Sequence, residues 1–229
     1  MEGVAKPFFK PLLEINGMPL IAYAAEYASA AGASRVTVVA SSNNVDDIQR
    51  ALANYASWVS VVVQPTPDGP GDAALIGLSN TTDSSIMLLM SDNIMNSTAV
   101  SQMATKAMIE DIDAVGVLHV PIEKASRFTR IRTTSHGIHH FVEGSEIEPA
   151  DESSPGISTV WCGPIIFNRE KATQILHREK HKNSSCANEL KIGPYLSEII
   201  RKNALLADVG AMDVGIPSAY TEQLKRKND

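Results

Sequence analysis

The chain has 229 residues, 44 % of them hydrophobic, which is enough for a full core and favours one large α/β domain over two small ones. A net charge of −6 argues against a nucleic-acid surface, which would show a basic stripe, so the expected ligand is small and any phosphate on it is met by local positive or metal charge. Two cysteines, Cys162 and Cys186, cannot build a disulfide framework, and with no charged-then-apolar leader and no apolar run of about 18 residues the expected setting is cytoplasmic, without a membrane.

Lys10 opens the run KPLLEINGMPLI, standing between a loop and a helix. Leu20, Tyr23, Ala24, Tyr27, Ala28 and Ala31 recur at helical spacing, Gly32 ends that helix, and Val36 to Ala40 form a short β-branched strand. The alternation then repeats, with helices predicted over 45–55, 73–78 and 99–109 and strands over 59–63, 86–90 and 114–120. Strands that read as continuous apolar runs between helices imply a parallel sheet covered on both faces. After Pro121 the pattern changes. RFTRIRTTSHGIHHFVEG alternates with period two around Ser135-His136-Gly137, the pattern of a hairpin, and STVWCGPIIF adds a strand. Helices are predicted near 169–182 and 188–203, and the acid- and proline-rich 146–156 is a loop long enough for a lid or binding loop.

In open parallel sheets ligands bind beyond the carboxyl ends of the strands, where Ser91-Asp92-Asn93 lies. A carboxylate there can reach a divalent cation, since Mg²⁺ commonly takes one or two carboxylates plus phosphate oxygens. The plainer alternative is that Asp92 caps the next helix. MDVGIPSAY supplies a second carboxylate, Asp213, and one lysine with two separated aspartates suits metal-assisted chemistry on phosphates. Gln64 ends the strand before PTPDGPG, and a side-chain amide can pair with the edge of a nucleobase while Gly69 and Gly71 let backbone approach a flat ring. A Pro/Gly turn feeding a helix explains the same residues. His136, His139 and His140 in the hairpin, and His177 and His181 four apart, complete no metal set and read as solvated. Trp161 and Cys162 read as packed within their strand.

KPLLEINGMPLI, QPTPDGPGDAALIG, SDNIM and MDVGIP, in this order and spacing, resemble the sugar-1-phosphate nucleotidylyltransferases over nearly the whole chain, closest in wording to the glucose-1-phosphate thymidylyltransferase branch. The resemblance implies a Rossmann-like mixed, mostly parallel sheet with helices on both faces, of the nucleotide-diphospho-sugar transferase type. It implies transfer of a nucleoside monophosphate from an NTP, dTTP or UTP favoured, to a sugar 1-phosphate, releasing pyrophosphate, in nucleotide sugar and polysaccharide biosynthesis. Residue by residue, it implies that Lys10 contacts substrate phosphate, that Gln64 and Gly69 read the base, that Asp92 and Asp213 hold Mg²⁺, and that Glu143 binds sugar hydroxyls. Residues 1–120 would form the nucleotide-binding half and 121–229 the sugar-phosphate-binding half of a single domain; a homo-oligomer is left open.

The chain also departs from the family pattern. Phe9 stands for a proline before Lys10, Ser91 for a glycine before Asp92, Gly144 for a lysine after Glu143, and Thr129 lies near a position that is often glycine beside the sugar. The family's first strand and Gly-x-Gly-x-Arg loop, an anion nest of backbone N–H groups, have no counterpart, and Met1 and Lys10 fit a chain that begins just after that loop. A 229-residue chain without them is expected to be marginal and to bind NTP poorly. Two other readings follow: a catalytically inactive or truncated nucleotide- or sugar-phosphate-binding homologue, and a metal-dependent glycosyltransferase of similar topology, against which the KPLL and QPTPDG motifs weigh.

Overall fold

A computed structural model describes residues 9–134, 136–137, 139–143, 156–183 and 189–213, the side chains of Asn183 and Asp213 excepted. Lys10–Leu12 form a 3₁₀ turn, and β1 (Glu14–Ile15) and β2 (Met18–Pro19) follow as a hairpin. Its turn is Asn16-Gly17, both at positive φ, the conformation that Asn-Gly favours in two-residue hairpins. Then come α1 (Leu20–Ala30), β3 (Val36–Ser41), α2 (Val45–Ala51), β4 (Val59–Gln64), α3 (Pro70–Ser79), β5 (Ser85–Leu88), β6 (Asn93–Ile94), α4 (Ser97–Glu110) and β7 (Ala114–Pro121). The second half supplies β8 (Thr129–Thr133), β9 (His139–Glu143), β10 (Ile157–Asn168), α5 (Arg169–Asn183), α6 (Leu196–Ile199), β11 (Leu205–Asp208) and β12 (Met212–Asp213).

The main sheet is mixed, because β10 runs antiparallel between β5 and β7. Strands β5 and β7, which the β–α–β alternation would make neighbours, are therefore each bonded to β10. The described parallel ladders are β3 with β4 and β7 with β11, while β8, β9 and β10 pair antiparallel. Among the described residues β3 pairs with β4 alone and β5 with β10 alone.

Alternating side chains of β7 and β10 point to two cores. Val115, Val117, Ile165 and Phe167 pack with α3, α5 and α6, whereas Ala114, Cys162 and Ile166 pack with α1 and α4. Both faces of the sheet are thus covered by helices, as strands apolar at every position require. A third cluster sets Ile21 and Ala25 of α1 and Ile48 of α2 against Ala40 and Val59.

The helix expected over 188–203 is not formed. Residues 189–191 instead run beside the loop before α3, where the Leu190 N–H donates to the Asp68 carbonyl (2.7 Å) and the Leu190 carbonyl accepts from the Gly71 N–H (2.7 Å). Pro194, which has no N–H, follows in a 3₁₀ turn over Gly193–Tyr195, and regular helix is confined to α6. The predicted loop lies outside the described residues except at Gly156, as does Ser135 of the predicted hairpin tip.

Candidate functional site

Asp92 lies in the turn between β5 and β6, half-buried, and Asn93 beside it begins β6. β12 pairs antiparallel with β6, setting Met212 opposite Ile94 and Asp213 opposite Asn93. The two aspartates expected to share an edge therefore sit on adjoining backbone positions despite their separation in sequence. The Asp213 side chain lies outside the described residues, as do the remaining residues of its motif from position 214 on.

The Lys10 motif reaches the same edge through its hairpin. Ile15 and Leu20 are buried with Leu13, Tyr23, Ile94 and Met212 in one small cluster, so apolar burial fastens β1 and β2 onto the β6–β12 ladder. Two tyrosines of α1 complete the joint. The Tyr23 hydroxyl donates to the Ile15 carbonyl (2.9 Å), and the Tyr27 hydroxyl accepts from the Met95 N–H (2.9 Å). Burial pushes the Tyr27 hydroxyl above the ordinary phenol range, so it stays neutral. Lys10 itself is solvent-exposed in its 3₁₀ turn.

Gln64 ends β4, and its amide nitrogen donates to the Gly69 carbonyl (3.2 Å) and to Asp72 Oδ2 (2.8 Å). Asp72, in the first turn of α3, is 3 % exposed, and its other oxygen accepts from the Lys180 ammonium of α5. Burial pushes this carboxyl up, but the bonds from Lys180 and Gln64 outweigh it and leave it below its ordinary value. Gly69 has φ of +95°, and a Cβ there would stand 2.8 Å from the Leu190 carbonyl oxygen. The close approach expected against a base ring is used, on that face, by residues 189–190.

Glu143 ends β9, and its Oε1 accepts from the Thr129 hydroxyl (3.0 Å) across the β8–β9 ladder. Gly193 lies over both: a Cβ on it would come within 2.2 Å of Glu143 Oε1 and 2.5 Å of Thr129 Oγ1. The segment 189–193 is thus a short strap, bonded to the Gln64–Gly71 loop at one end and resting on Glu143 at the other. Gly144, after Glu143, lies outside the described residues.

Asp72, Lys180 and Gly193 were not singled out from the sequence. A carboxylate in the first turn of a helix is an ordinary neighbour of the helix dipole, and nothing local ties it to a lysine 108 residues away. Among the tempting histidines, His139 is half-buried rather than solvated. Its Nε2 faces the Ala204 carbonyl (3.1 Å) and its Nδ1 the Thr133 hydroxyl (2.9 Å). Burial lowers its pKa, and the carbonyl requires the proton on Nε2. Cys162 is buried in β10 as expected, with Sγ 3.7 Å from Asn93 Oδ1. Among the described residues no group of three or more His, Cys, Asp or Glu could hold a metal, and no helix is long and apolar enough to cross a membrane. Two carboxylates with open positions left to phosphate oxygens fit the oxygen preference of Mg²⁺.

The nucleotidyl transferase family model matches residues 3–228. No curated protein sequence matches the chain. Among solved structures, UDP-glucose pyrophosphorylase complexed with UDP-glucose superposes with a TM-score of 0.69 at 22 % identity, covering 96 % of this chain and 90 % of that one. HddC from Yersinia pseudotuberculosis superposes with a TM-score of 0.67 at 17 % identity, covering 98 % and 92 %, and its complex with GMP-PN at 0.66, 17 %, 99 % and 93 %. These likenesses show the nucleotide-diphospho-sugar transferase fold.

Proposed function

The chain belongs to the nucleotidyl transferase family, and from that premise we propose that it transfers a nucleoside monophosphate from an NTP to a sugar 1-phosphate, forming a nucleotide sugar and releasing pyrophosphate. The observation that carries this reading is the β6–β12 pairing, which brings Asp213 opposite the residue after Asp92 beside the hairpin that follows Lys10. An oxygen of the sugar 1-phosphate forms the new bond to the α-phosphorus, and the bond from that phosphorus to the bridging oxygen breaks in line. No general base is needed, because a phosphate monoester with a second pKa of about 6 is already largely ionised at neutral pH. Lys10 orients and neutralises that nucleophile. Asp92 and Asp213 would hold Mg²⁺, which when bound supplies positive charge against the phosphate oxygens.

Gln64 and Gly69 meet the base, with dTTP or UTP favoured, and Glu143, steadied by Thr129, meets sugar hydroxyls. Residues 1–120 carry most of the nucleotide contacts and 121–229 most of the sugar-phosphate contacts, with Asp213 and the strap reaching back to the first half. The enzyme would work in the cytoplasm, in nucleotide sugar and polysaccharide biosynthesis.

The test is pyrophosphate release from the purified chain with Mg²⁺, each NTP and a panel of sugar 1-phosphates. Release that needs both substrates, and is lost in Asp92→Asn, is expected. NTP binding with no release for any pair would overturn the reading in favour of a catalytically silent binding protein.

A further inference from the structure

We propose that Asp72 is a positioning residue that holds the Gln64 amide in one orientation, so that the site selects nucleotides whose base carries a ring imino N–H; this rests on the reading of Gln64 as the base-reading side chain. An amide has a carbonyl oxygen that accepts and an NH₂ that donates twice, in nearly the same shape, so a flip would reverse what it recognises. Among the described residues, the two groups that the Gln64 side chain hydrogen-bonds are both acceptors. Nε2 lies 3.2 Å from the Gly69 carbonyl oxygen and 2.8 Å from Asp72 Oδ2. The flipped amide would set its oxygen against both. Asp72 can enforce this because it is an ionised carboxylate, a pure acceptor: it is 3 % exposed and the Lys180 ammonium takes its other oxygen. That ion pair keeps the group below its ordinary pKa despite burial.

With both Nε2 hydrogens turned inward, Oε1 is what Gln64 offers to a ligand. A carbonyl oxygen pairs with the ring N–H of uracil, thymine or guanine. It opposes cytosine and adenine at the matching ring nitrogen, which is a lone-pair acceptor. The selection is therefore for uridine, thymidine or guanosine triphosphates and against cytidine and adenosine triphosphates.

The test measures, by calorimetry with Mg²⁺ present, binding of UTP, CTP and N3-methyl-UTP to the full chain. UTP is expected to bind about tenfold more tightly than either of the others, tenfold being 1.4 kcal/mol. In Asp72→Asn the new NH₂ can face Oε1, so the amide can turn and the UTP-to-CTP ratio should fall at least about threefold through tighter CTP binding, a gain that loss of stability does not produce. Gln64→Ala should weaken UTP and erase the preference. Equal binding of UTP and N3-methyl-UTP by the unaltered chain, or a full preference kept in Asp72→Asn, overturns the inference even if Gln64→Ala still weakens UTP. If Gln64→Ala changes nothing, or none of the three nucleotides binds, the base-reading role of Gln64 falls as well. Should Asp72→Asn fail to fold, the N3-methyl-UTP comparison decides alone.

Discussion

Around Asp92 the chain is held by apolar side chains and short backbone ladders, whereas around Gln64 and Glu143 it is held by the ion pair of a buried Asp72 with the exposed Lys180 and by glycines packed at a strap. On the first side Ile15, Leu20, Ile94 and Met212 do the fastening by apolar contact, together with the β6–β12 backbone pairing. On the second side the groups that hold the structure and the groups proposed to meet substrate are the same or adjacent: Gln64 with Asp72 and Lys180, Glu143 with Thr129 and Gly193. Substitutions should therefore separate chemistry from stability on the first side and affect both together on the second.

The largest expected effect tests the first half of that contrast. Asp213→Asn should lower pyrophosphate release by about 10²–10³, the usual loss when one electrostatic contact to a transition state is removed. Its melting temperature should stay close to that of the parent chain, because the β6–β12 ladder and the Met212 contact remain. A large fall in melting temperature with modest loss of turnover would show that the aspartate is scaffold after all.

Gly193→Ala probes the second half. Its Cβ would stand 2.2 Å from Glu143 Oε1, so either the strap lifts or the carboxylate turns away from Thr129. Such overpacking typically costs about 1–3 kcal/mol. Both the melting temperature and the apparent affinity for sugar 1-phosphate should drop; a change in one without the other would break the comparison.

Tyr27→Phe sharpens it from the apolar side. The substitution leaves the buried Met95 N–H without its acceptor, a loss of about 1–3 kcal/mol. For a domain of this size that is about 2–4 °C per kcal/mol in melting temperature. Pyrophosphate release at saturating substrate should change little below the melting range, since the phenol touches no substrate in the proposed site.

What was legible in the sequence follows the same division. The period of α1 and α4, the apolar runs of β3, β4, β7 and β10, and an aspartate in the turn after β5 are local patterns, and local patterns can be read. The Asn16-Gly17 hairpin was equally local and was passed over inside a run read as loop and helix. The insertion of β10 between β5 and β7 leaves no mark in either strand, because a strand apolar on both faces accepts a neighbour of either direction. The strap lies within the span 188–203 predicted as helix. What diverts it is the pairing of Leu190 with Asp68 and Gly71, more than a hundred residues away.

The smallest predicted effect concerns acid, and it isolates the Asp72–Lys180 pair. Burial raises the pKa of Asp72, but the bonds from Lys180 and Gln64 outweigh it and hold the folded-state value below the ordinary carboxylate range. A depressed carboxyl pKa means that the unfolded chain takes up a proton more readily than the folded one. The stability contributed is therefore complete above about pH 4 and is lost as pH falls through the folded value. Glu179 is shifted the same way by Lys182 and Arg178, so acid sensitivity of the whole chain does not single out Asp72. The difference between the parent chain and Asp72→Asn does. Denaturant midpoints of the two should stand well apart at pH 7 and draw together as pH falls below about 4. A gap that stays constant across that range would mean that the amide serves Lys180 and Gln64 as well as the carboxylate does. The charge of Asp72 would then contribute nothing to holding α3 against α5.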